Sequence, residues 1–491
     1  MTDRRRPEPG LPHEADLEDA EAAPALPSAA LAAGARPLEE IGATRRTDRE
    51  IWSLAWPVIL SQILASAVGL IDIAMVGRLG RDAVAAVGYT TQFLWLIQSV
   101  LFAIGMACVA LMARAMGGGE PARAREALRA SLAVAVAVAA AFTALVLGAP
   151  RALLGLLQAE PSVVEAAVPY FRLTLGSTLL LAVSITLESG FRAVRDTRTP
   201  MWIAGGVTAA KIALNALLIF GLFGLPRLGL VGAGLATLLS QGVSVALFAL
   251  ATRRAGSAPP ALREGLLWSR GEGRPDGRHF GEVVRLALPA VGERLVLNGA
   301  MMAYFALLGR YGSAAVAAYT VGVRLLSFSW IPGIGFSAAA ATLVGQALGA
   351  GDPAEATRAG WRAARMAVGV GCVLGLFFGG VRDPLARAFT NDASIVSELG
   401  PFMLILAASQ PFMGLHFTLA GALRGAGDTW TPLLAAALGN WVFRVPLALV
   451  FALWLEVPVV WVWMALLCDH VARSAWLLAS FRRGRWRRVP G

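Results

Sequence analysis

Apolar residues fill this chain in long, almost uncharged runs, separated by short gaps that collect arginine, glycine and proline. Each run is long enough to cross a bilayer as a helix, which takes about 20 mostly apolar residues. The pattern predicts an all-α membrane protein with twelve spans, over residues 51–75, 84–111, 124–149, 163–189, 200–223, 229–252, 284–308, 316–346, 357–380, 396–421, 432–455 and 459–481. The gaps alternate in charge. One set carries the arginines of 114–129, 192–198, 253–285 and 358–365, and the other set is poorer in them. Arginine-rich loops stay on the cytoplasmic side, so both termini and the 253–283 loop are expected there.

The second half of the chain repeats the first at a single displacement of 232 residues, as from Leu54 to Leu286. Leu54-Ala-Trp-Pro57 matches Leu286-Ala-Leu-Pro289, and Gly77-Arg-Leu-Gly80 matches Gly309-Arg-Tyr-Gly312. The run from Gly117 to Ala122 matches Gly349 to Ala354, and Arg192, Asp196, Thr197, Thr199 and Pro200 match Arg424, Asp428, Thr429, Thr431 and Pro432. Six helices per repeat is an even number, so both halves insert with the same orientation and their symmetry axis lies along the membrane normal. The expected organisation is a disordered tail over 1–48, an N-lobe over 49–252, a linker over 253–283, a C-lobe over 284–481 and a basic tail over 482–491. Two such lobes enclose a cleft, the plan of a transporter that rocks between two open states.

Composition narrows the class. With 57% hydrophobic and only 15% charged residues, the chain cannot cover a water-facing surface. The net charge of +11 follows the loops, and no basic patch alternates with stacking aromatics, so nucleic acid is not an expected partner. Cys108, Cys372 and Cys468 all fall in apolar runs, which argues against disulfides. The first 48 residues lack the apolar core of a signal peptide. The glycine-rich tips at 117–119 and 349–351 lack the Gly-Lys-Ser/Thr of a nucleotide-binding loop, so the expected energy source is an ion gradient.

Lys211 is the only lysine, and it falls in the middle of the fifth span. An ammonium at that depth costs at least ~2.5 kcal/mol on the mildest insertion scale, so a counter-charge is required.

Three stretches resemble the multidrug and toxic compound extrusion (MATE) transporters: the helix from Pro57 to Asp72 with its Gly77-Arg-Leu-Gly80 end, the run from Ile331 to Asp352, and Ala422-Leu-Arg-Gly-Ala-Gly-Asp-Thr429. The likeness covers about residues 50–480. It implies a twelve-helix, two-lobed antiporter of the inner (plasma) membrane that expels organic cations or amphipathic compounds against protons or sodium, with no other cofactor; no histidine cluster has metal-ligand spacing, so no bound metal is expected. It also implies that Asp72 is the first-helix aspartate of an ion site and that Pro57 bends that helix. Lys211 and Asn215 stand where many members have Asn-x-x-x-Asp. One carboxylate of that pattern is missing here and a fixed cation has arrived. The resulting expectation is that Lys211 is a tethered cation for Asp72, with Asn215 one turn away as a hydrogen-bond partner, and that a proton or cationic drug breaks the pair. A static salt bridge is the alternative.

In the second half, Glu293, Arg324 and Arg444 are each expected near mid-depth, with Glu293 bridged by one of the two arginines. Asp469 and Arg473 are spaced to pair along one helix face, His470 lies beside them, and His416 reads as a packing histidine. In the repeated Asp-Thr-x-Thr-Pro, Thr199 and Thr431 are expected to cap helices that begin at the proline. Met106, Met301, Met302, Trp330 and Phe336 are candidates for an adaptable apolar cavity. The expected partners are small amphipathic or cationic molecules and membrane lipid, bound by a monomer. The rival within transport is a lipid-linked oligosaccharide flippase of the same superfamily, for which mid-membrane arginines would serve. An enzymatic role is not expected, because no span holds clustered acidic residues for a divalent metal.

Overall fold

The computed structural model describes residues 28–157, 160–224, 226–253, 277–389 and 393–488. Residues 254–276 of the expected linker lie outside that set. The chain divides into a short unit, Met1–Thr47, and a compact body, Asp48–Gly491. Of the tail expected to be disordered, residues 1–27 lie outside the described residues. Residues 28–47 are helical, and their Ala, Leu and Glu are all strong helix formers.

Among the described residues there is no strand, and twelve long helices follow one another. They are α1 (Thr47–Leu79), α2 (Arg81–Gly117), α3 (Pro121–Gly148), α4 (Val163–Ala193), α5 (Arg198–Phe220) and α6 (Gly229–Arg253) in the first half. The second half holds α7 (Arg278–Tyr311), α8 (Ser313–Gly349), α9 (Pro353–Gly380), α10 (Ile395–Gly425), α11 (Trp430–Trp454) and α12 (Val459–Arg483). All except α12 are long and apolar enough to cross a membrane by composition alone, α8 by its Ser329–Gly349 portion. In α12 the polar trio Asp469, His470 and Arg473 lowers the hydropathy, and all three are buried against protein. Two stretches of α11, Leu438–Arg444 and Val450–Trp454, are wound as π-helix, which sequence periodicity does not reveal.

The two halves meet on the symmetry axis implied by the repeat. At the end of the body that carries the arginine-rich turns, α2 crosses α8 through Gly117 and Gly349. A Cβ on Gly117 would lie 1.9 Å from the Gln346 carbonyl oxygen, and one on Gly349 would lie 1.9 Å from that of Arg114. Gly117 and Gly349 are repeat equivalents, as are Arg114 and Gln346, so the contact is self-complementary in the manner of a two-fold interface. Only glycine permits such an approach.

The lobes also exchange helix ends. Ile51, Leu54 and Ala55, from the start of α1, are buried in a core cluster with Phe336, Ala340 and Leu343 of α8 and Leu419 of α10. Reciprocally, Val283 and Ala287 of α7 are buried with Leu101, Ala130 and Ile185 of α2, α3 and α4. Past Pro57 and Pro289 each helix rejoins its own half: Val76 packs with Ala83 and Ile219, and Tyr304 with Phe402 and Trp463. The helical run continues through Pro57 without interruption. Proline has no N–H to give residue i−4. The carbonyl of Ser53, which loses that donor, accepts a hydrogen bond from Thr197 Oγ1 at 3.4 Å.

The repeated Asp-Thr-x-Thr-Pro turns cap their helices through the aspartate rather than the threonine. Asp196 Oδ1 accepts from the backbone N–H of Arg198 and Thr199, at 3.1 and 2.9 Å, and Asp428 Oδ1 accepts from that of Thr431 at 3.0 Å. The threonine hydroxyls donate to the other carboxylate oxygen, each at 2.6 Å. A carboxylate accepts several donors at once, and its charge favours the helix N-terminus. The helices begin at Arg198 and Trp430, two residues before the prolines.

The C-terminal basic segment is pinned to the fold by its tryptophan, while its arginines stay exposed. After Gly484 reverses the chain, Trp486 is buried and stacks on Phe481, with centroids 4.7 Å apart and planes at 12°. Its Nε1 donates to the Phe481 carbonyl at 3.0 Å.

Candidate functional site

The lone lysine finds its partner. Lys211 Nζ lies 2.9 Å from Asp72 Oδ2, with the lysine side chain 10% and the aspartate 28% exposed. Three helices build the site. Asp72 comes from α1, while Lys211 and Asn215, four residues apart, share one face of α5. From α6, Thr237 Oγ1 accepts a hydrogen bond from Lys211 Nζ at 2.8 Å and itself donates to the Ala233 carbonyl at 3.0 Å. Asn215 Nδ2 donates to Asp72 Oδ1. Only that orientation of the amide suits a carboxylate, since its oxygen would face another acceptor. Asn215 Oδ1 is left buried without a partner. The structure therefore brings Asp72, Lys211 and Asn215 together. It adds Thr237, which a sequence reading misses because threonine in a helix so often bonds only its own i−4 carbonyl.

The C-lobe arrangement differs from the expected one. Glu293 is bound by Arg424, whose Nη2 lies 2.6 and 2.7 Å from the two carboxylate oxygens, and not by Arg444. The Arg324 side chain lies outside the described residues. Arg444, raised on the π-turns of α11, instead donates from Nη2 to Tyr319 OH at 3.1 Å and places its guanidinium 4.3 Å from the Tyr304 ring centre. Tyr304 is the repeat equivalent of Asp72. Each lobe thus sets a cation from its fifth helix against the same place on its first, a carboxylate in one half and an aromatic face in the other.

Glu293 and Arg424 are 13% and 14% exposed, so each depends on the other for solvation. Losing one partner of such a buried pair costs ~3–5 kcal/mol, whereas losing both costs far less. Glu293→Gln is therefore expected to lower the unfolding midpoint in detergent by several degrees. The Glu293→Gln, Arg424→Gln double variant should regain most of it.

Arg473 binds both oxygens of Asp469 at 2.5 Å within α12. His416 is not alone: its Nε2 lies 3.2 Å from His470 Nδ1, and the two rings stack at 8°. Of the proposed cavity residues, Phe336 is fully buried in the core beneath α1, and Met302 of α7 is 75% exposed. Among the described residues no group of His, Cys, Asp and Glu could hold a metal ion.

A profile of the MatE family matches residues 57–217 and again 289–450, starting at the two repeat-equivalent prolines. A probable multidrug resistance protein NorM of Bradyrhizobium diazoefficiens is 33% identical over 88% of this chain and 92% of its own length. One from Thermotoga maritima is 29% identical over 92% and 95%. The fold superposes on the crystal structure of the Vibrio cholerae MATE transporter VcmN in its bent form with a TM-score of 0.83, at 21% identity, covering 90% of this chain and 98% of that one.

Proposed function

Since the chain belongs to the MATE family, we propose that it is a monomeric inner-membrane antiporter that exports organic cations or amphipathic drugs by alternating access, with protons as the coupling ion. The substrate class follows the relatives, which are named for multidrug resistance. The observation that carries the coupling is the Lys211 ammonium between Asp72 Oδ2 and Thr237 Oγ1. Those oxygens are what a sodium ion would have to use, and a tethered cation already holds them. Asn215 presents a donor to Asp72, not a further ligand. A proton needs no cage. It takes a lone pair of the Asp72 carboxylate, cancels the charge that holds Lys211, and leaves the ammonium to Thr237 alone. An incoming cationic drug competes for the same carboxylate, so proton and drug exclude one another there, which is the logic of exchange. Arg444, one of the two arginines that a pyrophosphate-linked lipid would need, is engaged by Tyr304 and Tyr319, which favours the export reading over the flippase.

The test is dye uptake into inside-out membrane vesicles with the two gradients imposed separately. A proton gradient alone should drive accumulation, and an equal sodium gradient should not. Accumulation on sodium alone would overturn the coupling, and accumulation on neither would overturn the transport reading.

A further inference from the structure

The turn between α4 and α5 has the same backbone course as its repeat between α10 and α11. Arg195 N donates to the Arg192 carbonyl at 3.1 Å and Asp196 N to that of Phe191 at 3.0 Å. In the second half, Gly427 N donates to Arg424 and Asp428 N to Leu423, both at 2.9 Å. The residue at the bend is left-handed in both, at φ +65° for Arg195 and +86° for Gly427. Glycine is the residue that adopts this conformation without steric penalty, and the second half uses it. The first half places an arginine there, so the strain is retained for something the side chain does.

That side chain spans the two halves. Arg195 Nε donates to Gln346 Oε1 on α8, and Nη1 to Glu50 Oε1 on α1. Gln346 Nε2 in turn donates to the Ala193 carbonyl at 2.7 Å, and Thr342 Oγ1 to that of Arg192 at 3.1 Å. All of these contacts flank the Gly117–Gly349 crossing. On the other side of the axis, Arg114 and Glu282 are the repeat equivalents of Gln346 and Glu50. There they line a pocket of about 210 Å³ together with Gly118 and Gly349. The crossing is symmetric, but its fastenings differ: on the pocket side Glu282 lies 3.4 Å from His279 Nδ1, whose Nε2 lies 2.8 Å from Glu126 of α3, whereas on the Arg195 side one arginine of the turn reaches both α1 and α8.

We propose that Arg195 is a positioning residue for alternating access, a latch that holds α1 and α8 against the α4–α5 turn and thereby sets the fraction of molecules closed at the arginine-rich end. The proposal rests on the transport reading for its purpose but not for its test. An exposed ion pair is weak and reversible, which suits a contact that must release in every cycle. Arg195→Gly is the informative variant, because Gly427 already supports the same turn.

In a background freed of its native cysteines, a cysteine at Ala113, buried in the crossing against Gly345, reports opening through its rate of maleimide labelling in nanodiscs without substrate or ion gradient. Arg195→Gly should label about threefold to tenfold faster, the shift expected when a weak contact biases a two-state equilibrium. Its thermal midpoint should stay level or rise as the backbone strain is relieved. Arg195→Lys, able to reach one partner, should fall between. Labelling at the wild-type rate would overturn the latch. A lowered midpoint with labelling raised in proportion would also overturn it, leaving the arginine only a structural role. Failure of vesicle transport alone bears on the antiport reading and leaves this result standing.

Discussion

Asp72→Asn is expected to abolish gradient-driven efflux and to destabilise the protein more than Lys211→Met does, although the two residues form one pair. The asymmetry comes from burial. With Asp72 neutral, the Lys211 ammonium is 10% exposed and keeps only the Thr237 hydroxyl. With Lys211 removed, the carboxylate is 28% exposed and still accepts from Asn215. Removing one partner of a fully buried pair costs ~3–5 kcal/mol, and water at Asp72 discounts this for Lys211→Met to about 1–3 kcal/mol. The double variant Asp72→Asn, Lys211→Met should recover much of the lost stability and none of the transport. Thermal unfolding and dye efflux on the same four proteins give the cycle. Efflux at more than a tenth of wild type in Asp72→Asn would mean the pair is static. A tenfold loss corresponds to about 1.4 kcal/mol in the rate-limiting barrier, within what this electrostatic contact can supply.

The second large effect is expected at the crossing. A methyl group on Gly117 or Gly349 meets backbone oxygen at 1.9 Å, and no rotamer change relieves it. The helices must separate by an ångström or more, so Gly117→Ala and Gly349→Ala should each hold the arginine-rich end open and reduce efflux at least tenfold. Because the two glycines are related by the axis, the effects should be nearly equal. Spin labels at Ala122 and Ala354, exposed equivalents on the adjoining helices, would show the same lengthened distance in both variants. A short distance retained in either would refute the steric argument.

The twelve spans were legible because lipid allows so few polar side chains, and the repeat was legible because its turns keep one register. The Asp72–Lys211 pair was legible for a related reason: a single ammonium at mid-span must be answered, and few carboxylates lie at its depth. The Glu293 partner was not. Choosing among the arginines requires the helix rotations that put Arg424 across from α7 and turn Arg444 onto Tyr304. Arg424 sits in the last turn of α10, away from the mid-span arginines, and the placing of Arg444 depends on the π-turns of α11, which leave no mark in hydrophobic periodicity. The His416–His470 contact was hidden in the same way, being a matter of which faces of α10 and α12 meet. The left-handed turn at Arg195 did have a signal, in the alignment of Arg195 with Gly427, visible once each repeat is used as the reference for the other.

The exchanged helix ends constrain how such a molecule can move. The first turns of α1 are embedded in the second half and those of α7 in the first, so the halves cannot swing as two free blades joined by a tether. Any tilt must be absorbed inside those two helices, and each carries a proline where it passes from one body to the other. At Pro57 a missing backbone donor has already been replaced from outside the helix by Thr197. The motion expected is thus a paired flexing about two pivots, in which each body grips the opposite one by a strap that bends but never lets go.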